Sequence, residues 1–139
     1  FTARSFDLVF CTQVLSYVRD ATAVIREIHR VLVPRGHLLL SVPAMVPRYH
    51  DERWRFLPDG IRVLLGDFSR VEIVPEGRSI AGACHTLNAA LNLQDRHWRV
   101  SAVLRATVVP MLNCIGLGLD GLSNGSDRLS TNYSVLAQK

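Results

Sequence analysis

The stretch HRVLVPRGHLLLSVP, residues 29–43, decides the fold. Its first residues complete a helix, Pro34-Arg35-Gly36 makes a tight turn, and HLLLSVP (37–43) has the apolar run of a buried strand. Working backward, Val24, Ile25, Ile28, Val31 and Leu32 recur at one-, three- and four-residue steps. They form one apolar stripe, with Arg26, Glu27 and Arg30 on the other side. Asp20 is the residue type that caps such a helix. FDLVFC (6–11) is a second short apolar run, expected as a strand buried on both faces. Strand, helix and strand with short joins make a right-handed βαβ unit, so 6–11 and 37–43 are predicted to be parallel neighbours.

Working forward, AMVPRYHDERWRF (44–56) is a polar and aromatic loop. It leaves the carboxyl end of a parallel strand, which is where open α/β sheets bind ligands. PDGIRVLLGDF (58–68) keeps Ile61, Leu64, Leu65 and Phe68 on one side and reads as a short helix. SRVEIVP (69–75) alternates as a strand does. Residues 78–95 suit a helix, and 97–122 is a long apolar stretch interrupted by Arg105, Pro110 and Asn113. A charge at the bilayer centre is costly, so this stretch is not expected to span a membrane. It predicts a broken amphipathic pair that packs on the domain or rests in a membrane interface. Residues 122–130 form a turn-rich loop, and TNYSVLAQK (131–139) a closing strand.

Composition sets the outer limits. At 139 residues, 48% hydrophobic and 20% charged, the chain is a single globular domain. The net charge of +4 comes from scattered arginines, with Lys139 the sole lysine, and no basic run long enough for a nucleic-acid arm occurs. Cys11, Cys84 and Cys114 are widely spaced among apolar residues and lack the C-x-x-C spacing of zinc or redox sites. They are expected to be buried free thiols, which points to a reducing compartment, the cytoplasm. The histidines are dispersed, and no metal site is expected. FDLVF so near Phe1 leads us to expect a preceding part of the fold outside these residues.

FDLVFCTQVLSYVRD, VIREIHRVLVPRGHLLLSVP and RWRFLPDGIRVLL together resemble the second half of a class I S-adenosylmethionine-dependent methyltransferase, from about Phe6 to Pro75 and again at 131–139. The family's usual join into its fifth strand is RVLKPGG; here Arg35 stands at the first glycine. HDERWRF is similar to a bacterial branch linked to surface-polysaccharide synthesis. The resemblance implies an α/β Rossmann-like sheet of order 3-2-1-4-5-7-6 with the seventh strand antiparallel. This chain would supply strand four (6–11), five (37–42), six (69–75) and seven (131–137), with 1–77 and 129–139 as the core and 78–128 as a helical insertion. The glycine-rich loop after strand one and the acidic residue after strand two are not in this sequence.

The resemblance also assigns roles. Cys11, Thr12, Gln13 and Leu15 at the exit of strand four would border the methionine part of S-adenosylmethionine. Tyr17, Tyr49, Asp51, Trp54 and Arg55 would line the acceptor site, with His50 as a candidate general base. The purely structural alternatives are core packing for Cys11 and Leu15, loop anchoring for Trp54, and a surface pair of Asp51 with Arg53 or Arg55. The implied activity is methyl transfer to a small-molecule, saccharide or lipid-linked acceptor, with peripheral membrane contact allowed by 97–122. The alternative is a non-catalytic interaction module built on the same fold. An unpaired strand-four edge would in either case favour self-association.

Overall fold

The computed structural model describes residues 1–48, 51–76, 79–93, 98–120 and 129–139. They fall into two compact units. The first comprises Phe1–Ala44, Arg48–Val74 and Asn132–Lys139, the second Met45–Pro47 and Pro75–Thr131.

The first unit is built on a four-stranded sheet. Its strands are β1 (Phe6–Thr12), β2 (Leu32–Pro43), β3 (Arg70–Glu76) and β4 (Asn132–Gln138), in spatial order β1-β2-β4-β3. β2 runs parallel to β1 and antiparallel to β4. This is the expected 4-5-7-6 order with an antiparallel seventh strand. The registers place side chains in rows across the sheet. Val9, Leu38 and Ala137 form one row and Cys11, Leu40 and Val135 the next, followed by the Val42–Tyr133 pair. Period-two pleating sends these rows to one face. There they pack in one core with Ile25 and Ile28 of α1 (Ala21–Val31), Ile61 of α2 (Pro58–Leu64), and Leu15, Phe56, Leu65 and Phe68.

Local chemistry sets the helix ends. Asp20 is extended and its carboxylate accepts from the Ala23 amide at 2.9 Å, capping α1 as its residue type predicts. α2 has Pro58 in its first turn and stops at Leu64, short of the expected 68. Turn hydrogen bonds from Leu65 N to Ile61 O and from Phe68 N to Leu65 O still carry Leu65 and Phe68 into the core.

Two expectations about the opening βαβ unit are corrected. β2 begins at Leu32 rather than His37, because Leu32 already pairs with Phe6 before the ladder resumes at Leu8–His37. The turn at Pro34-Arg35-Gly36 is therefore an irregularity within the strand. Arg35 takes φ 67°, a left-handed conformation that glycine adopts freely and arginine does not. Gly36 is required by space: a Cβ there would lie 2.9 Å from Val33 O and 3.1 Å from Asp7 O. The end of the chain is tied to the same place. The Lys139 ammonium donates to His29 O and, at 2.8 Å, to Leu32 O, neutralising carbonyls at the carboxyl end of α1.

The second correction concerns β1, of which only Cys11 is buried. Phe10 is 66% exposed and Leu8 42%. β1 ends the sheet, so its outer edge has no strand neighbour among the described residues. An apolar groove of about 560 Å³ lies beside it, lined by Phe6, Leu8, Val9, Val24, Ile28 and Val31.

The second unit is a helical hairpin of α3 (Ser79–Leu93) and α4 (Trp98–Asp120). Asn88 meets Asn113 and Cys84 meets Gly116, so the two helices run antiparallel. α4 passes unbroken through Pro110, correcting the expectation of a broken pair over 97–122.

Candidate functional site at the carboxyl rim of β1 and β2

The parallel strands β1 and β2 open the sheet at their carboxyl ends, and the chain leaves β1 there through Gln13. Gln13 is held at φ 56°, a left-handed conformation rare for its type. Two bonds hold it: its amide donates to Ser41 O at 2.9 Å, and its Nε2 donates to Ser41 Oγ at 2.9 Å. The Gln13 side chain thus cross-links two strand ends while its backbone is strained, the kind of outlier that makes this rim a candidate site. Thr12 and Gln13 are exposed on it, and Val14 follows, 52% exposed.

The other residues expected to meet the cofactor lie inward. Cys11 is buried, and burial pushes its thiol pKa up because the thiolate would lose hydration. Leu15 has no exposed surface and anchors the exit segment in the core. The structure thus separates the four: Thr12 and Gln13 reach solvent, while Cys11 and Leu15 support them from below.

The acceptor-side loop is tied directly to this exit segment. Arg53 N and Trp54 N both donate to Ser16 O, at 2.7 and 3.3 Å. Arg53 Nη1 donates to Tyr17 O at 2.6 Å, and the Trp54 indole N–H donates to Val18 O at 2.8 Å. Four hydrogen bonds therefore hold residues 53–54 against 16–18. Arg55 pairs with Glu52 at 2.7 Å, in place of the Asp51 partner considered from sequence. Asp51 is exposed. Trp54 and Arg55 line a cleft of about 450 Å³ together with Arg19, Asp20, Leu57 and Leu64. Tyr17 is 41% exposed beside the staple. Tyr49 and His50 lie outside the described residues.

Two contributors escaped the sequence reading. Ser41 supplies both partners of Gln13, and Ser16 supplies the carbonyl that receives the loop. The Ser16 hydroxyl is itself buried with no hydrogen-bond partner among the described residues. The available signal was Trp54, since a tryptophan N–H near a core requires an acceptor.

Residues 1–40, which contain β1, α1 and the start of β2, match the methyltransferase-domain family. The whole chain superposes on a SAM-dependent methyltransferase from Archaeoglobus fulgidus with a TM-score of 0.58 at 10% identity, covering 100% of this chain and 62% of that one. This is part of a class I methyltransferase fold. A possible histamine N-methyltransferase from Thermotoga maritima gives a TM-score of 0.56 at 11% identity, over 100% of this chain and 58% of that one. Phosphoethanolamine N-methyltransferase 2 of Haemonchus contortus, solved with S-adenosyl-L-methionine, gives 0.55 at 16% identity, over 100% of this chain and 34% of that one. The chain thus spans less than two thirds of each of these three proteins. It has no significant match among curated proteins.

Within the methyltransferase fold the rim just described is the exit of strand four beside strand five. Thr12 and Gln13 are exposed there, at the carboxyl ends of the parallel strands β1 and β2. The 139 residues contain no G-x-G-x-G run to complete that site.

Proposed function

We propose that this chain is the acceptor-side part of an S-adenosylmethionine-dependent methyltransferase. The observation that carries the reading is the four-bond staple between 16–18 and 53–54. It joins the segment proposed to border the cofactor to the loop proposed to hold the acceptor, and fixes their spacing. When bound, S-adenosylmethionine would supply an electrophilic methyl group on a sulfonium. In-line displacement from it demands a nucleophile held behind the methyl carbon and exclusion of competing water, so positioning dominates the rate.

The chain's own residues supply that positioning. Thr12 and Gln13 form the polar part of the floor, and Leu15 with Cys11 keeps the floor rigid and dry beneath. Trp54 offers the acceptor an apolar wall and the Arg55–Glu52 pair a polar one, with Tyr17 and Asp51 as further proposed contacts and Tyr49 proposed from the sequence alone. His50 is the proposed base for a hydroxyl or amine acceptor, which must give up a proton as its bond to carbon forms. The acceptor class we favour is a small molecule or a saccharide, including a lipid-linked one reached at a membrane surface from the cytoplasm. The open edge of β1 is the proposed seat of the rest of the sheet, and the surface through which copies of the chain associate when it is bare.

Calorimetric titration with S-adenosylhomocysteine tests this reading. It is done on the chain as it stands and on a longer polypeptide in which a glycine-rich βαβ half precedes Phe1. Binding by the longer polypeptide, lost or weakened at least tenfold by Gln13→Ala, is the expected result. Absence of binding in both would sink the enzyme reading in favour of a non-catalytic module.

A further inference from the structure

We propose that the outer face of the α3–α4 hairpin is a docking surface for an anionic lipid bilayer, on which the hairpin lies without crossing. This deepens the membrane-surface part of the reading above and does not depend on methyl transfer.

The outer face is apolar over an unusual width. Val103, Pro110 and Leu117 follow one another at seven-residue steps down α4, and all three are exposed, Leu117 at 76%. Met111 and Ile115, also exposed, widen the stripe. Ala106–Leu119 contains no charged residue. A helix that pairs with a single partner helix in water carries a narrow apolar seam flanked by charges. Here the flanks are apolar too, which suits a fluid apolar medium better than a second helix.

Polar groups of the hairpin are turned to its own needs. The Thr107 hydroxyl donates to Val103 O one turn earlier at 2.8 Å, and the Thr86 hydroxyl is shared between Gly82 O at 2.9 Å and Met45 O at 2.7 Å. Asn88 donates to Asn113 across the helix pair at 2.7 Å. Gly116 lets the helices approach until a Cβ there would lie 3.2 Å from that of Cys84. Small residues at the helix contact and amides bonded across it are how helices associate where lipid replaces water. Among the described residues no helix is long and apolar enough to cross a membrane, so the contact is with one leaflet.

Charge selects the lipid. α4 carries two arginines, Arg99 and Arg105, and one acid, Asp120, and α3 carries no charged residue. Both arginines stand in the half of α4 that begins at Trp98, with Asp120 at its other end, so the positive charge of the hairpin is gathered at one end. Arginine and tryptophan are residue types that settle at headgroup level, and the basic excess favours anionic headgroups.

Co-sedimentation of the full chain with phosphatidylcholine vesicles, with and without phosphatidylglycerol, tests the proposal. The expected result is pelleting with the anionic vesicles and about tenfold weaker binding to the neutral ones. The double variant Val103→Glu/Leu117→Glu should bind the anionic vesicles at least tenfold less, with its circular dichroism unchanged. Phe10→Ser, on the sheet unit, should bind like the parent. Three results would overturn the proposal: no pelleting, equal binding by parent and double variant, or loss of binding in Phe10→Ser. So would a defined lipid-free dimer dissolved by the double variant, which would give the face to a second copy. Vesicle binding and S-adenosylhomocysteine binding are read separately, so either can fail while the other stands.

Discussion

β1 and β2 are made of nearly the same material, FDLVFCT and HLLLSVP, and meet opposite fates. β2 has a strand on each side, and its Leu38, Leu40 and Val42 are almost wholly enclosed. Among the described residues β1 has a strand on one side only, and Leu8 and Phe10 face solvent. The contrast extends across the sheet, since the row Phe10–Leu39–Leu136 on the face away from the core leaves Phe10 and Leu136 exposed. An apolar run therefore states what a strand requires, and the neighbours decide whether it is met. In a parallel sheet both faces are normally covered. β1 is a central strand by composition standing at an edge.

The sharpest way to probe the difference is to truncate one side chain on each strand. Leu38→Ala should lower stability by about 3 kcal/mol, because it empties a fully enclosed site in the central row. Phe10→Lys should cost under about 0.5 kcal/mol, as expected of an exposed position. It should also reduce concentration-dependent association, since a charge on an edge strand blocks pairing. Urea denaturation and sedimentation velocity read the two quantities. Equal losses of stability would mean that Phe10 is covered in solution.

The join between the strands gives a second, smaller contrast. Gly36→Ala should destabilise by about 2 kcal/mol, because the added carbon meets two backbone oxygens that cannot step aside. Its neighbour should respond in the opposite sense. Arg35→Gly removes a left-handed strain and should gain about 0.5 kcal/mol after the entropic cost of glycine. Thermal melting of the two variants checks both signs.

Thiol chemistry gives the finest comparison. Of the three cysteines expected to be buried only Cys11 is; Cys114 lies exposed on α4 and should react with an aromatic disulfide reagent at once, whereas Cys11 should react only when β1 opens. Burial raises the folded pKa of Cys11 above its unfolded value. Its neutral form therefore favours the fold, a contribution complete below the unfolded pKa and lost as pH climbs through the folded one. Alkaline solution should weaken the wild type more than Cys11→Ala. Identical pH profiles would show that Cys11 is not protected as described.

The strands, the parallel pairing of the first two and the Asp20 cap were legible because periodicity and capping are local chemistry, whereas the strand order came from the family resemblance. What escaped depends on distant residues or on neighbours. The exposure of β1 follows from partners, which no hydrophobic pattern records. Gln13 takes a positive φ because Ser41, far along the chain, grips it from two sides. The staple joins residues 36 apart in sequence, with only the indole of Trp54 asking for an acceptor. Pro110 reads as a helix breaker, yet α4 continues through it. Interior packing in a helix pair outweighs a propensity measured in isolated peptides.

The lysine that ties the end of α1 has a practical side. Lys139 is the sole lysine of the sequence, and its ammonium is engaged with His29 O and Leu32 O. Apart from the α-amine, amine acylation has one target, which sits on the seam between helix, central strand and final strand. Its acylation rate is a one-site gauge of how often that seam breathes, and it can be followed by mass spectrometry without altering a residue.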